Sequence, residues 1–230
     1  MFSSFDFDVV RRSLSYLFLD GMTFTLTLTG LAALGGLIFG TLIALMRLSG
    51  FRLLGRIAGL YVDLMRSLPL VLVIFWFYFL VPYIGQWVTG SSRPVRVGAF
   101  TSSLVTFILF EAAYFSEIMR AGIQSISKGQ PAAAQALGLT YGQTMRYVVL
   151  PQAFRNTLPV LLTQTIVLFQ DTSLVYVLSI PDFLGAASKV AQRDGRLVEM
   201  YLFAAAVYFI ISCAASYGVR RLQTRIAFVH

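Results

Sequence analysis

Long stretches without a charged side chain alternate with short basic segments along this chain. Residues 21–46, 67–92 and 200–219 contain no Asp, Glu, Lys or Arg. A helix needs roughly 20 consecutive apolar residues to cross the hydrocarbon core of a bilayer. The pattern therefore predicts three membrane-spanning helices.

Two further stretches are apolar apart from a few ionisable positions. Residues 97–110 lead into Glu111, and residues 156–178 include Asp171. A charged side chain is costly within a span, so each of these carboxylates indicates a functional group. The predicted spans are 21–46, 60–82, 98–119, 155–178 and 199–219. We expect an all-α polytopic membrane protein with five transmembrane helices, forming a single domain over residues 1–230.

The composition agrees with a membrane environment and argues against an enzyme. The chain is 57% hydrophobic and 12% charged, which is too apolar for one soluble domain of 230 residues. Cys213 is the only cysteine and His230 the only histidine, so a His/Cys metal site and a Ser-His-Asp triad lack members. The two lysines, Lys128 and Lys189, lie in no phosphate-binding loop. We expect no metal, no cofactor and no ATP hydrolysis by this chain.

The distribution of basic residues predicts the orientation, because Lys and Arg in short loops favour the cytoplasmic side. One set of alternate loops holds Arg47, Arg52, Arg56, Arg66, Arg120, Lys128, Arg146, Arg155, Arg220, Arg221 and Arg225. The other set holds Arg11, Arg12, Arg93, Arg96, Lys189, Arg193 and Arg196. The larger set places the N-terminus outside and the C-terminus in the cytoplasm. The net charge of +8 then reflects membrane topology and not binding to nucleic acid.

Ionisable residues near the cytoplasmic ends of spans two and three are candidates for contact with a substrate. Asp63 and Arg66 are three residues apart and can pair on a helix, as can Glu117 and Arg120. Glu111 lies about two turns deeper and has no basic residue within one helical turn. Its carboxylate would bind a cation such as a substrate ammonium, or accept a hydrogen bond from another helix, and both interpretations remain open.

Span four carries several polar side chains in an otherwise apolar helix, namely Thr163, Gln164, Gln170, Asp171, Thr172 and Ser173. They either line a transport pathway or form hydrogen bonds between helices. In span one, Gly36 and Gly40 form a small-xxx-small pair, which favours close packing of helices within the chain.

Residues 129–151 are cytoplasmic in this topology and not apolar enough to cross. Pro131 suits the first turn of a helix, and the alanine-rich residues 132–137 continue it. Gly138 permits a turn, and residues 141–149 form a second helix that we expect Pro151 to end. The segment is therefore predicted to be a projecting elbow of two short helices.

The elbow resembles a conserved loop in permease subunits of ATP-binding-cassette (ABC) importers. That loop reads Glu-Ala-Ala, three residues, Gly, nine residues, Ile-x-Leu-Pro. Here Ala132-Ala133-Ala134, Gly138 and Val148-Val149-Leu150-Pro151 stand at the same spacing. Ala132 replaces the glutamate of the pattern, so docking of an ATPase would depend more on shape and backbone. The resemblance implies an ATPase-coupling role for Gly129, Pro131, Ala132, Ala133, Ala134, Gly138 and Pro151.

The likeness extends over nearly the whole chain to the polar amino acid subfamily, and most to its glutamate/aspartate import permeases. The segments that carry it are 66–70, 111–123, 169–178 and 193–195. Many relatives have lysine at the position of Gln170. The resemblance implies a type I importer fold and a substrate pathway formed by Arg66, Glu111, Tyr114, Glu117, Arg120, Gln170, Asp171, Thr172 and Ser173.

The same resemblance implies a complex in a bacterial inner membrane. Its partners would be an identical or paralogous permease subunit, two ATPase subunits that use ATP, and a periplasmic amino-acid-binding protein. Substrate, glutamate or aspartate, would move from periplasm to cytoplasm by alternating access. Two alternatives stay open: an importer of basic amino acids or cystine, and a secondary transporter driven by an ion gradient.

Overall fold

The computed structural model describes residues 6–226, and all the regular structure within them is helical. His230 lies outside these residues. The α-helices are α1 (Phe7–Ser15), α2 (Thr23–Leu48), α3 (Arg52–Ser67), α4 (Leu70–Phe75), α5 (Val81–Thr89), α6 (Ala99–Gln124), α7 (Gly129–Ala136), α8 (Tyr141–Thr144), α9 (Leu150–Asp171), α10 (Phe183–Asp194) and α11 (Leu197–Ile226). Short π-helical or 3₁₀ segments join several of them, at Tyr16–Met22, Trp76–Leu80, Met145–Val149 and Thr172–Leu178.

Five helical stretches of the described residues are long and apolar enough to cross a membrane, which confirms the predicted number. They are Phe7–Leu48, Leu70–Thr89, Ala99–Gln124, Tyr141–Leu178 and Leu197–Arg225. The first of these stretches begins well before the predicted residue 21. The predicted span stops at the charged residues that precede this position, but the helical hydrogen bonding of the backbone continues through them. Asp6 caps its start by accepting a hydrogen bond from the Asp8 N–H at 2.9 Å.

The predicted second span, residues 60–82, is wrong in its boundaries. Helix α3 ends at Ser67, and Leu68 adopts an extended conformation with φ −103° and ψ 138°. The ring of Pro69 disfavours a helical conformation in the residue before it, so the helix must break there. The apolar span begins afterwards, at Leu70.

The prediction that Pro151 ends the second elbow helix is also wrong. The chain stays helical from Tyr141 to Leu178, and Pro151 lies in the first turn of α9. A π-type segment, Met145–Val149, comes directly before the proline, and there the Leu150 N–H bonds to the Met145 carbonyl. The wider turn accommodates a residue that has no N–H to donate. The Gln152 side chain donates to the nearby Val148 carbonyl at 2.9 Å.

The described residues divide into two compact units, each built from three separate stretches of chain. Among the described residues, unit 1 draws on 6–33, 69–107 and 165–217, and unit 2 on 34–68, 108–164 and 218–226. In unit 1, buried residues of α1, α10 and α11 surround Phe183, which is fully buried. A single permease domain over residues 1–230 stays a prediction.

Unit 2 depends on glycines that let its helices approach closely. A Cβ at Gly36 would lie 2.8 Å from the Glu111 Cβ, and one at Gly40 would lie 2.9 Å from the Ala112 carbonyl oxygen. About three turns further along α6, a Cβ at Gly122 would lie 2.3 Å from the Thr157 Cγ2. Helix α6 therefore packs against both α2 and α9. The interpretation of Gly36 and Gly40 as packing within the chain is confirmed.

Candidate functional site

The most charged cluster of unit 2 places three arginines around one carboxylate, Glu117. The Glu117 Oε1 accepts a hydrogen bond from Arg47 and lies 3.8 Å from the Arg66 Nη1. Its Oε2 accepts from Arg120, with Nη2 at 2.6 Å and Nε at 3.1 Å. The predicted Glu117–Arg120 pair is confirmed. Arg66, in contrast, pairs with Glu117 and not with its predicted neighbour Asp63.

The local sequence explains how these side chains reach one point. Arg47 lies in the last turn of α2 and Arg66 in the last turn of α3, where the negative end of a helix dipole favours a cation. Tyr114 and Glu117 are three residues apart and share a face of α6. The Arg66 guanidinium carbon lies 5.5 Å from the centre of the Tyr114 ring, a cation–π contact.

The cluster carries an excess of positive charge, because guanidinium groups stay protonated and only one carboxylate balances three of them. The Arg66 side chain is 45% exposed and that of Arg120 is 31% exposed, whereas Arg47 is mostly enclosed at 18%. Arg66 and Arg120 can therefore contact a ligand while still paired with Glu117. The arrangement is suited to an anion such as a carboxylate.

Glu111 is fully buried between helices of unit 2. Both of its carboxylate oxygens accept from the Gln164 Nε2 of α9 at 3.3 Å. Because Gly36 has no side chain, α2 packs directly on Glu111. Of the two interpretations of Glu111, the contact with Gln164 supports the hydrogen bond to another helix.

The predicted pathway residues of span four lie in unit 1, at the end of α9 and in the 3₁₀ segment that follows. Gln170 donates to the Ser212 hydroxyl at 3.0 Å, a contact between helices. Thr172 is buried and donates to the Phe169 carbonyl at 2.7 Å. Asp171 and Ser173 are partly exposed. Gln170 and Thr172 therefore stabilise this region, and Asp171 keeps a carboxylate accessible.

Comparison with known proteins decides the family. Residues 36–227 match the family described as the binding-protein-dependent transport system inner membrane component. The chain belongs to this family. It is a membrane-spanning permease subunit of an ABC transporter, and its helical fold agrees with that assignment.

Individual relatives support the same conclusion. The permease is 53% identical to the glutamate/aspartate import permease protein GltK of Escherichia coli O6:H1, over 97% of this chain and 99% of GltK. It is 31% identical to the glutamine transport system permease protein GlnP of Escherichia coli K12, over 96% of this chain and 97% of GlnP. A crystal structure of an amino acid ABC transporter with histidines has a TM-score of 0.81 and 32% identity, covering 96% of this chain and 98% of that one.

The predicted coupling residues of the permease form a rigid turn in unit 2. Helix α7 ends in a Schellman motif: the Leu139 N–H bonds to the Ala134 carbonyl at 3.2 Å, and the Gly138 N–H to the Gln135 carbonyl at 2.9 Å. Gly138 has φ +86°, a conformation that a side chain disfavours. The predicted turn at Gly138 is confirmed.

A capping box then starts the next helix. The Thr140 hydroxyl accepts from the Gln143 N–H at 3.4 Å, and the Gln143 Oε1 accepts from the Thr140 N–H at 2.9 Å. The signal for this box, Thr-x-x-Gln, is present in the sequence but was not used in the prediction. Leu137 and Tyr141, on either side of the turn, are 82% and 63% exposed.

The remaining coupling residues lie on α7, except Pro151, which lies further along the chain in α9. Gly129, Pro131, Ala132 and Ala133 belong to α7, with Ala132 and Ala133 exposed and Pro131 partly so. Ala134 is buried and anchors the helix to the rest of unit 2. Pro151 is exposed on the long helix that follows. These exposed apolar groups are available for contact with another protein.

Proposed function

We propose that this permease imports acidic amino acids, glutamate and aspartate, from the periplasm to the cytoplasm of a bacterium. The observation that carries the proposal is the cluster of Arg47, Arg66 and Arg120 around Glu117. An acidic amino acid carries net negative charge at neutral pH, so it is attracted to a partly exposed region with surplus positive charge. The 53% identity with a glutamate/aspartate import permease supports the same substrate class.

Within unit 2, Arg66 is the group proposed to bind a substrate carboxylate. Its guanidinium is the most exposed of the three, and its contact with Glu117 is the longest at 3.8 Å. It can therefore bind a carboxylate without losing a short ion pair. Tyr114 supports the guanidinium from its ring face, and Glu117 keeps Arg66 and Arg120 in place.

Each unit holds one predicted carboxylate that can receive an ammonium group, Glu111 in unit 2 and Asp171 in unit 1. Glu111 is enclosed and engaged by Gln164, so it contributes mainly to packing of unit 2 in this conformation. Asp171 is partly exposed, and no hydrogen bond or ion pair joins its carboxylate to another residue of the described chain. Asp171 is therefore the more accessible of the two carboxylates.

The proposed complex consists of this permease, a second permease subunit of the same or a paralogous kind, two ATPase subunits and a periplasmic amino-acid-binding protein. We place this complex in the bacterial inner membrane, a proposal that the family description as an inner membrane component supports. ATP is hydrolysed by the partner subunits. Their closure is transmitted through the α7 turn, whose exposed Leu137 and Tyr141 provide the contact surface, and drives alternating access.

Reconstitution in vesicles tests the energy source. We expect uptake of labelled glutamate only when the permease, an ATPase subunit, ATP and the binding protein are all present. Uptake driven by an ion gradient with the permease alone would show a secondary transporter instead. Competition by unlabelled glutamate, aspartate, glutamine, arginine and cystine then defines the substrate, since only the first two should compete strongly.

Single substitutions test the assigned residues. We expect Arg66→Ala to raise the glutamate concentration for half-maximal uptake, because the most exposed guanidinium is lost. Arg56→Ala is the matched control, since Arg56 is an exposed arginine of the same helix without an ion pair among the described residues. Unchanged affinity and rate in Arg66→Ala and in Glu111→Ala would show that neither residue acts in transport.

A further inference from the structure

A cavity in unit 1 is lined by none of the residues of the arginine cluster and has no role so far. It measures about 230 Å³ and lies between α10 and the end of the 3₁₀ segment before it. Its lining residues are Tyr176, Val177, Ser179, Gly185, Ser188, Lys189 and Gln192. A single buried water needs only roughly 10–15 Å³ of such space, so the cavity can hold a small organic molecule.

One face of α10 forms a wall of this cavity. Gly185, Ser188, Lys189 and Gln192 follow the i, i+3, i+4, i+7 spacing of residues that share a helix face. Gly185 is required for the shape of the wall, because a Cβ there would lie 2.3 Å from the Ile180 carbonyl oxygen. Helix α10 is held in position by Asp182, whose carboxylate accepts from the Leu184 and Gly185 N–H groups.

Lys189 gives the cavity its charge. No acidic residue lines it, and Lys189 makes no hydrogen bond or ion pair with another residue of the described chain. The neighbouring cation Arg193 differs, because Asp194 neutralises it at 2.8 Å. Lys189 therefore offers an unneutralised ammonium group to whatever occupies the cavity.

The polar side chains beside Lys189 leave both a donor and an acceptor for a ligand. The Ser188 hydroxyl oxygen accepts from the Gln192 Nε2 and from the Tyr201 hydroxyl, each at 3.1 Å. Two accepted bonds fill its lone pairs, so the Ser188 proton remains to be donated. Because Gln192 uses its amide nitrogen towards Ser188, its carbonyl oxygen remains to accept from a ligand ammonium.

We propose that this cavity binds the transported acidic amino acid, with Lys189 pairing with a substrate carboxylate, Ser188 donating to it and Gln192 accepting from the ammonium group. The inference rests on the proposed function for the identity of the ligand. It adds a second binding site on the loop between the fourth and fifth spans, which the charge-based topology places on the periplasmic side.

Competition with chemical modification tests the site directly, because the chain has only two lysines. The assembled complex in lipid nanodiscs is treated with limiting N-hydroxysuccinimide acetate, and acetylation of Lys189 and Lys128 is followed by mass spectrometry. Glutamate at ten times its dissociation constant should slow acetylation of Lys189 about tenfold, since only the unoccupied fraction reacts. The rate at Lys128 should not change.

Two control ligands identify the chemistry that is recognised. Glutamine carries the same α-amine and consumes reagent equally, but it lacks the side-chain carboxylate, so it should protect Lys189 much less. Inorganic phosphate tests for a general anion site and should also protect weakly. Equal protection by phosphate, equal protection by glutamine, or no protection by glutamate would each overturn the inference.

Variants provide a functional readout of the same site. Lys189→Gln should raise the glutamate concentration for half-maximal uptake several-fold, and Lys189→Arg should restore most of it. Arg93→Gln is the matched control, because it removes one exposed cation from another loop of the predicted periplasmic side.

A complex that imports glutamate but responds equally to Lys189→Gln and Arg93→Gln would refute this site and leave the proposed function intact. Protection of Lys189 without any glutamate import would refute the proposed function alone.

Discussion

Glu117 holds the charged cluster of unit 2 together, because it is the acidic member in contact with three arginines. Without a negative charge at this position the guanidinium groups would repel one another in a partly enclosed setting. Its role is therefore to position cations, and the arginines are the groups that a substrate anion would meet.

Replacing Glu117 by Gln should destabilise the protein. The substitution keeps the shape but leaves three close positive charges unbalanced, so we expect a loss of about 1–2 kcal/mol, less than the 3–5 kcal/mol for breaking a fully buried pair. For a chain of this length that corresponds to a fall in melting temperature of a few degrees. Asp63→Asn on α3 is the control, since Asp63 is exposed and should tolerate neutralisation. Equal melting temperatures for the two variants would contradict the positioning role.

Asp182 is a second residue with an unusual environment, between the fourth and fifth spans. Burial raises the pKa of its carboxyl to about 7, against the opposing effect of hydrogen bonds from the Gly185 and Leu184 N–H groups. The unfolded chain would have a pKa near 4. Between these two values the folded protein holds a proton that the unfolded chain has lost.

Stability should consequently depend on pH through Asp182. A folded pKa above the unfolded one stabilises the protein fully below about pH 4, and this contribution is lost as the pH rises towards about 7. We expect the melting temperature of the purified permease to fall from pH 5 to pH 7.5. Asp182→Asn keeps an acceptor for the helix cap but cannot ionise, so its melting temperature should vary less. Parallel pH profiles would rule out this residue as the cause.

An ion pair between neighbours on one helix can be predicted from sequence, whereas an ion pair between helices cannot. Glu117 and Arg120 were paired correctly because they are neighbours on one helix. Sequence spacing offers no partner for Arg47 and offers Asp63 to Arg66, because the contact of both arginines with Glu117 depends on how α2, α3 and α6 pack. Sequence spacing carries no information about such contacts.

The glycines of span one, on α2, differ in how closely helix α6 approaches them. Gly40 faces the backbone of α6, whereas a Cβ at Gly30 would meet nothing within 4 Å. The sequence identified Gly36 and Gly40 as a packing pair, and the structure shows which helix they meet.

Gly40→Ala should therefore be harmful and Gly30→Ala harmless. The new methyl group at position 40 would lie 2.9 Å from backbone atoms of Ala112 and Ser116, which cannot move as a side chain can. We expect a cost of about 1–3 kcal/mol from overpacking. Gly30→Ala should gain up to about 1 kcal/mol from helix propensity. The measurement is the melting temperature of each variant. Similar values for the two would contradict close packing at Gly40.

Helix boundaries were less predictable than helix identity. A helical segment follows both Pro69 and Pro151. The residue before Pro69 is extended, whereas the residues before Pro151 are helical. At Pro151 the π-type turn of Met145–Val149 accommodates the missing N–H, and the chain remains helical. The sequence contains both prolines but does not reveal which of them receives such a compensating turn.

For the whole molecule, transport requires that ATP hydrolysis in a partner reach the membrane helices. The turn between α7 and α8 is the segment proposed to receive that force, because its Schellman motif and capping box make it rigid. Ala132 provides no carboxylate, so the proposed contact with the ATPase would depend on shape and on exposed apolar groups such as Leu137.

Gly138→Ala should weaken coupling more than it weakens folding. Alanine at φ +86° costs roughly 1–2 kcal/mol and would distort the turn. We expect lower ATP-driven uptake by the reconstituted complex, with the permease still inserted and assembled with its ATPase. Gly142→Ala serves as the control, because a Cβ there would meet nothing within 4 Å and its φ is ordinary. Full uptake by Gly138→Ala would exclude this turn from coupling.

The sequence alone is enough to establish the membrane class, the number of spans, the turn at Gly138 and the family. These properties depend on local features, namely apolar runs long enough to cross a bilayer and motif residues at fixed spacing. The packing of the helices, in contrast, brings Arg47 and Arg66 to Glu117, places Gln164 against Glu111, and forms the cavity that Lys189 lines. Those outcomes depend on which helix faces meet, and residues far apart in the chain come together only when the helices pack.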